Sequence, residues 1–145
     1  MSSLFPELEN EDVIQMATTG KTFEKMIAEH LREKYPNTSV REQVKVGKYM
    51  GGYKNYVVDI LFNHDILISA KYQETPGTAE QKIFLELGNL QKLCDKDGFT
   101  KAYLVYEGKG LTLVETYNSE ERSEYLKTPS VEFISYEDFK EMNIA

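Results

Sequence analysis

The feature that most constrains this chain is a pair of strand-like runs, residues 56–62 and 66–73, joined by the short turn Asn63, His64 and Asp65. Side chains alternate across a strand with a period of two, so each run presents two faces. One face collects Val58, Ile60, Phe62, Ile66, Ile68, Ala70 and Tyr72 and is apolar throughout, while the other carries Asp59, Ser69, Lys71 and Gln73. A turn centred on His64 sets Asp59 opposite Ser69 with Lys71 one diagonal step away, and opposed residues of an antiparallel pair sit about 5 Å apart. The hairpin is therefore expected to bury one side fully and to hold an acid, a hydroxyl, an amine and an amide on the other.

The remaining elements are read around this hairpin. A helix is expected over residues 19–34, where Phe23, Met26, Ile27, His30 and Leu31 share one face, Thr18 or Thr19 caps the start and Pro36 ends it. A strand follows over 40–46, in which Val40, Val44 and Val46 alternate with Arg41, Gln43 and Lys45. Thr78, Ala79, Glu80 and Gln81 have the form of a capping box opening a second helix that runs to about residue 96. Residues 102–106 and 131–134 read as further strands and 136–142 as a short terminal helix, while 111–127 carries no clear pattern. The order helix, strand, strand, strand, helix, strand describes an α/β domain with a mixed sheet flanked by helices. A length of 145 residues suits one domain, 1–145.

Composition excludes several classes. No apolar run approaches the roughly 18 residues needed to cross a bilayer, and the N-terminus lacks the basic and apolar regions of a signal peptide. Cys94 is the only cysteine, which removes an internal disulfide or a cysteine-cluster zinc site; a cytoplasmic setting is expected. The formal net charge of −7 argues against a simple electrostatic nucleic-acid binder. The charge is uneven, however: residues 41–54 carry Arg41, Lys45, Lys48 and Lys54 against Glu42 alone, interleaved with Tyr49 and Tyr53. Such a strip can bind phosphate on an otherwise acidic protein, and a solvated mixed surface is the alternative reading.

The second expected helix supplies another acid. Glu86 falls in the same arc as Ile83, Leu87, Leu90, Leu93 and Cys94, and a carboxylate inside an apolar stripe needs a partner, either Lys71 or a divalent cation. Glu80 at the edge of that stripe and Glu24 beside the apolar face of the first helix are further acids. Two carboxylates and a lysine on one face suit phosphodiester hydrolysis. The acids hold Mg²⁺, a hard cation that prefers oxygen, and the lysine positions water or steadies developing negative charge. Other motifs fail: Gly20, Lys21 and Thr22 lack the earlier glycine of a phosphate loop, where Gln15 stands. Neither His30 nor His64 gives Ser69 the context of a hydrolytic triad.

The path from Thr19, Gly20, Lys21, Thr22, Phe23 and Glu24, through Val58 and Asp59, to Ser69, Ala70, Lys71, Tyr72 and Gln73 resembles the PD-(D/E)XK nuclease superfamily, the restriction-endonuclease-like fold. The helix holding Glu86 follows where that family places its active-site helix, and the resemblance covers about residues 18–107, which implies a core there and a C-terminal extension over 108–145. Two positions depart from the pattern. Val58 replaces the name-giving proline, and Ser69 stands where the second acid usually sits, two residues before the lysine. Some restriction enzymes similar to this pattern move that glutamate to the following helix while keeping a serine on the strand, and Glu86 is placed for that role. The resemblance implies a Mg²⁺-dependent DNA endonuclease, with Mn²⁺ as substitute, that leaves 5′-phosphate ends. Asp59 and Glu86 become metal ligands, Lys71 the base or electrostatic stabiliser, and Gln73 and Glu24 supporting residues, while Arg41, Lys45, Lys48, Lys54 and Tyr53 are the candidate DNA contacts. Cutting both strands favours a homodimer or homotetramer, in a restriction, homing or junction-resolving role. The alternative is a nuclease-like module without catalysis that binds DNA or protein, or serves as a subunit of a larger complex.

Overall fold

The computed structural model describes residues 20–52, 54–73, 82–108 and 127–145. Helix α1, Gly20–Lys34, forms where Phe23, Ile27, Ala28 and Leu31 recur at helical spacing, and all four are buried together with Glu24. Met26 and His30 are half-buried beside them. Strand β1, Val40–Lys48, runs antiparallel to β2, Asn55–Phe62, which is antiparallel in turn to β3, Ile66–Tyr72. The β2–β3 connection is a tight three-residue loop, Asn63 to Asp65, in which Asn63 and His64 both adopt left-handed backbone, φ 54° and 65°, and the Asp65 N–H donates to the Phe62 carbonyl at 3.3 Å.

Helix α2, Ile83–Asp97, carries the chain from β3 to β4, Lys101–Glu107, and ends on Gly98 in the left-handed conformation. Strand β5, Val131–Ser135, leads directly into helix α3, Tyr136–Glu141, whose start Ser135 caps by accepting the Asp138 N–H. Strands β3, β4 and β5 are parallel. The five strands lie in the order β1-β2-β3-β4-β5, a mixed sheet as the sequence order implies.

The sheet is covered on both sides. Leu67, Ala102 and Leu104 pack with Ile83, Leu87, Leu90 and Leu93 of α2, whereas Ile68, Tyr103 and Val105 pack with Phe23, Ile27 and Leu31 of α1 and with Phe139 of α3. Alternate residues of β3 and β4 thus go to opposite cores, which explains why these strands read as almost continuous apolar runs. Among the described residues no helix is long and apolar enough to cross a membrane.

The hairpin departs from its expected pattern at Asp59. Pairing of β2 with β3 covers Ile60–Ile68, Leu61–Leu67 and Phe62–Ile66 and then stops, while β1 and β2 stay paired as far as Lys48–Asn55. Released from β3, the β1–β2 ribbon coils toward α2. Ile60 and Phe62 belong to the α1 core, but Tyr56 and Val58 belong to the α2 core. Val58 therefore does not share a face with Ile60, and Asp59 has no ladder partner in Ser69. Nor is the opposite face purely polar, since Leu61 and Leu67 join the α2 core near the turn. Strand β1 follows the same change, with Val40 packed on the α1 side and Val44 and Val46 on the α2 side. Gly47 permits the close approach: a Cβ there would meet the Leu93 side chain at 2.6 Å and the Asp97 carboxylate at 2.9 Å. The expected Thr18 or Thr19 cap, Tyr53, the capping box over 78–81 with Glu80, and residues 111–126 lie outside the described residues.

Candidate active site

The end of the β2–β3 ladder leaves the Ala70 N–H without a strand acceptor, and Asp59 fills the gap. Its Oδ2 accepts that N–H at 2.8 Å, while Oδ1 accepts from the Gln43 side-chain amide at 3.3 Å. The same Gln43 nitrogen donates to Oε1 of Glu24 at 2.6 Å. Gln43 reaches both acids because its backbone is left-handed, φ 53°, an unfavourable state for a non-glycine residue that costs on the order of 1–3 kcal/mol. Glu24 rises from the buried face of α1 and is 4% exposed. Burial first, and then the neighbouring Asp59 carboxylate, push its pKa up from 4.5 to about 7, against the lowering effect of the Gln43 hydrogen bond. Glu24 and Asp59 are thus a close pair of like-charged groups at the edge of the α1 core.

Asp59 also borders a cleft of about 330 Å³ between the ribbon and α2, together with Tyr49, Ser69, Lys71, Glu86 and Asn89. The structure therefore brings Asp59, Lys71 and Glu86 to one cleft. Glu86 is held by two hydroxyls: Ser69 Oγ donates to its Oε1 at 2.9 Å, and Tyr56 OH donates to the same oxygen. Burial and the Glu86 charge raise the Tyr56 pKa, so the phenol stays protonated as a donor. The partner expected for Glu86, a cation or Lys71, is thus supplied within the fold by Tyr56 and Ser69. Lys71 is half-buried and forms no ion pair among the described residues. Asn89, nearly fully buried, accepts the Met50 N–H at 2.9 Å and ties the β1–β2 loop to α2.

Other expected residues lie further out. Gln73 follows the end of β3, where its N–H donates to the Glu107 carbonyl at 3.1 Å, and it is not among the residues bordering the cleft. Arg41, Lys45, Lys48 and Lys54 are all exposed on the β1–β2 ribbon, and the Lys54 ammonium lies 5.5 Å from the centre of the Tyr49 ring. Among the described residues no group of three or more His, Cys, Asp or Glu side chains forms a ready cation cage.

Two participants escaped the sequence reading, Gln43 and Tyr56. Gln43 stood in a plain alternation between Arg41 and Lys45, and nothing in that pattern signals a left-handed glutamine. Tyr56 read as the first apolar residue of β2, and only the coil of the ribbon toward α2 sets its hydroxyl against Glu86.

A mixed five-stranded sheet flanked by helices, with an aspartate where β2 parts from β3 and a lysine on β3, defines a restriction-endonuclease-like protein. A profile for a PD-(D/E)XK nuclease superfamily domain matches residues 11–142, and the chain belongs to that superfamily. Comparison with curated proteins and with solved structures gave no match.

Proposed function

We propose that this protein is a divalent-metal-dependent DNA endonuclease, with Mg²⁺ as the ion and Mn²⁺ as its substitute. The observation that carries this reading is the Glu24–Asp59 pair, set beside a cleft that also holds Lys71 and Glu86. Two neighbouring carboxylates, one with its pKa raised to about 7, are a concentration of negative charge that a cation relieves. The donor set is all oxygen, which suits a hard ion such as Mg²⁺. Asp59 and Glu24 would hold the ion, with Glu86 as a further oxygen donor from the cleft wall. Bound there, the ion supplies Lewis-acid stabilisation of phosphoryl charge.

The chain's own groups supply the remainder. The Ala70 N–H and the Gln43 amide fix both oxygens of Asp59, so its carboxylate does not need to reorganise. Lys71 presents an ammonium to the cleft, where it orients water or balances charge growing on the phosphate. Gln73, just beyond β3 and close in sequence to Lys71, is a supporting residue. Arg41, Lys45, Lys48 and Lys54 offer phosphate contacts along the exposed ribbon, and Tyr53 belongs to the same strip of sequence. A homodimer or homotetramer would bring two centres to the two DNA strands.

A second reading, a nuclease-like module without catalysis, draws on Ser69 at the usual acid position and on Glu86 already held by Tyr56 and Ser69. Incubation with plasmid and branched DNA, with and without Mg²⁺ or Mn²⁺, separates the two. The enzyme reading expects metal-dependent cleavage that Asp59→Ala and Lys71→Ala abolish. Inertness on every substrate with either metal favours the binding module.

A further inference from the structure

We infer that Gln43 is a positioning residue that assembles the carboxylate pair for the cation. The inference rests on the reading of Glu24 and Asp59 as cation ligands. The two acids come from different elements, α1 and β2, and the Gln43 amide nitrogen is bonded to both, at 2.6 Å to Glu24 and 3.3 Å to Asp59. A nitrogen donor between two carboxylates keeps them convergent when no cation is present, so the arrangement is set on folding rather than on binding. The backbone of Gln43 points to the same role. A residue in the left-handed region, φ 53°, would ordinarily be glycine or asparagine. Gln43 is exposed overall, and no core packing accounts for a long side chain at such a position. What glutamine adds there over glycine is reach, with an amide that spans to both acids. Glu24 is 4% exposed, so the close-packed surroundings leave its carboxylate little room to swing into place when an ion arrives.

The test is Mn²⁺ binding to the full chain by isothermal titration calorimetry, read beside thermal melting in EDTA. Gln43→Gly accepts the left-handed backbone without strain and deletes the amide, so the expected result is a melting temperature no lower than wild type. Its Mn²⁺ dissociation constant should rise at least tenfold. Gln43→Asn is the second variant: asparagine also accepts this backbone, but its amide is one methylene short of spanning both acids, and a rise of at least fivefold is expected. In a Glu24→Gln background the effect of Gln43→Gly should shrink to within about twofold, because one of the charges that the amide holds is gone. A purely structural role would carry through that background unchanged. Wild-type protein that binds Mn²⁺, with both Gln43 variants equal to it, overturns this inference alone. Wild-type protein that binds no Mn²⁺ overturns the inference together with the cation site beneath it.

Discussion

Replacing Glu24 by glutamine should make the metal-free protein more stable at neutral and alkaline pH while removing part of its cation site. The carboxyl titrates near 4.5 in the unfolded chain and at about 7 when folded. Below 4.5 both states are protonated and the group contributes nothing. Between these values the folded state keeps a proton that the unfolded state has released, so stability falls as pH rises, and above 7 the full penalty applies. The displacement of roughly 2.5 pH units, at about 1.36 kcal/mol per unit, sets a ceiling between about 3 and 4 kcal/mol, and a working value is about 2–3 kcal/mol. A glutamine at position 24 keeps an oxygen for the Gln43 amide and has an N–H to offer Asp59, so the packing survives. In EDTA at pH 8 the variant should melt roughly 5–10 °C above wild type, at about 2–4 °C per kcal/mol for a domain of this size. The gap should close by pH 4.5, and saturating Mg²⁺ should narrow it by stabilising wild type more than the variant. A variant that melts with or below wild type at pH 8, with no opening of the gap between pH 4.5 and 7, would show that Asp59 and burial place no charge penalty on Glu24.

Lys71→Ala is expected to lower cleavage about 10²–10³-fold, the usual scale for one electrostatic group in a preorganised site. Its EDTA melting temperature should stay within a degree or two of wild type, since Lys71 is half-buried and unpaired among the described residues. Tyr56→Phe removes a hydroxyl that donates to Glu86 and should destabilise the fold by about 1.5–3 kcal/mol in urea unfolding, the range for a hydrogen bond to a charged group; a loss below about 0.5 kcal/mol would mean that Ser69 alone satisfies the carboxylate. Gly108→Ala would set a Cβ 2.2 Å from the Gln73 carbonyl oxygen at a backbone φ of 109°. A loss of about 2–4 kcal/mol is expected from strain and overlap together, again by urea unfolding, and an unchanged midpoint would refute the close approach.

The sequence carried most of the fold because period and turn chemistry reinforce each other there. Phe23, Ile27 and Leu31 recur at helical spacing, the β3 and β4 runs are apolar enough to be covered on both faces, and Asn63 tolerates the left-handed turn that joins β2 to β3. Lys71 and Glu86 could be placed on one cleft because each stands on an element whose period holds over its whole length. Asp59 was legible as a residue but not as a geometry. Period-two reasoning assumes that a strand keeps one neighbour from end to end, and β2 is paired with β3 only from Ile60 to Phe62. On the N-terminal side of Ile60 the side chains change the helix they face, so Val58 packs against α2 although strict alternation groups it with Ile60, and the Tyr56 hydroxyl meets Glu86. The closeness of Glu24 to Asp59 was hidden for a related reason: it depends on how far α1 lies from a strand that bends away, a distance that no local pattern encodes.

Three unfavourable features meet where β2 leaves β3: a glutamine in left-handed backbone, a buried carboxylate with a raised pKa, and a strand N–H satisfied by a side chain rather than by the ladder. A sequence selected for stability alone has simple ways out, glycine at 43 and glutamine at 24, each compatible with the surrounding packing. Functional sites are where proteins violate such local rules, and here the breaks converge on one aspartate beside an open cleft. That convergence favours catalysis over an inert binding module, because a module that only presents a surface has no use for a destabilised acid pair behind its cleft. The two readings part on a single comparison. If Glu24→Gln gains stability and leaves metal-dependent cleavage intact, the strain serves nothing at this site, and the link drawn between the broken ladder and the chemistry is lost.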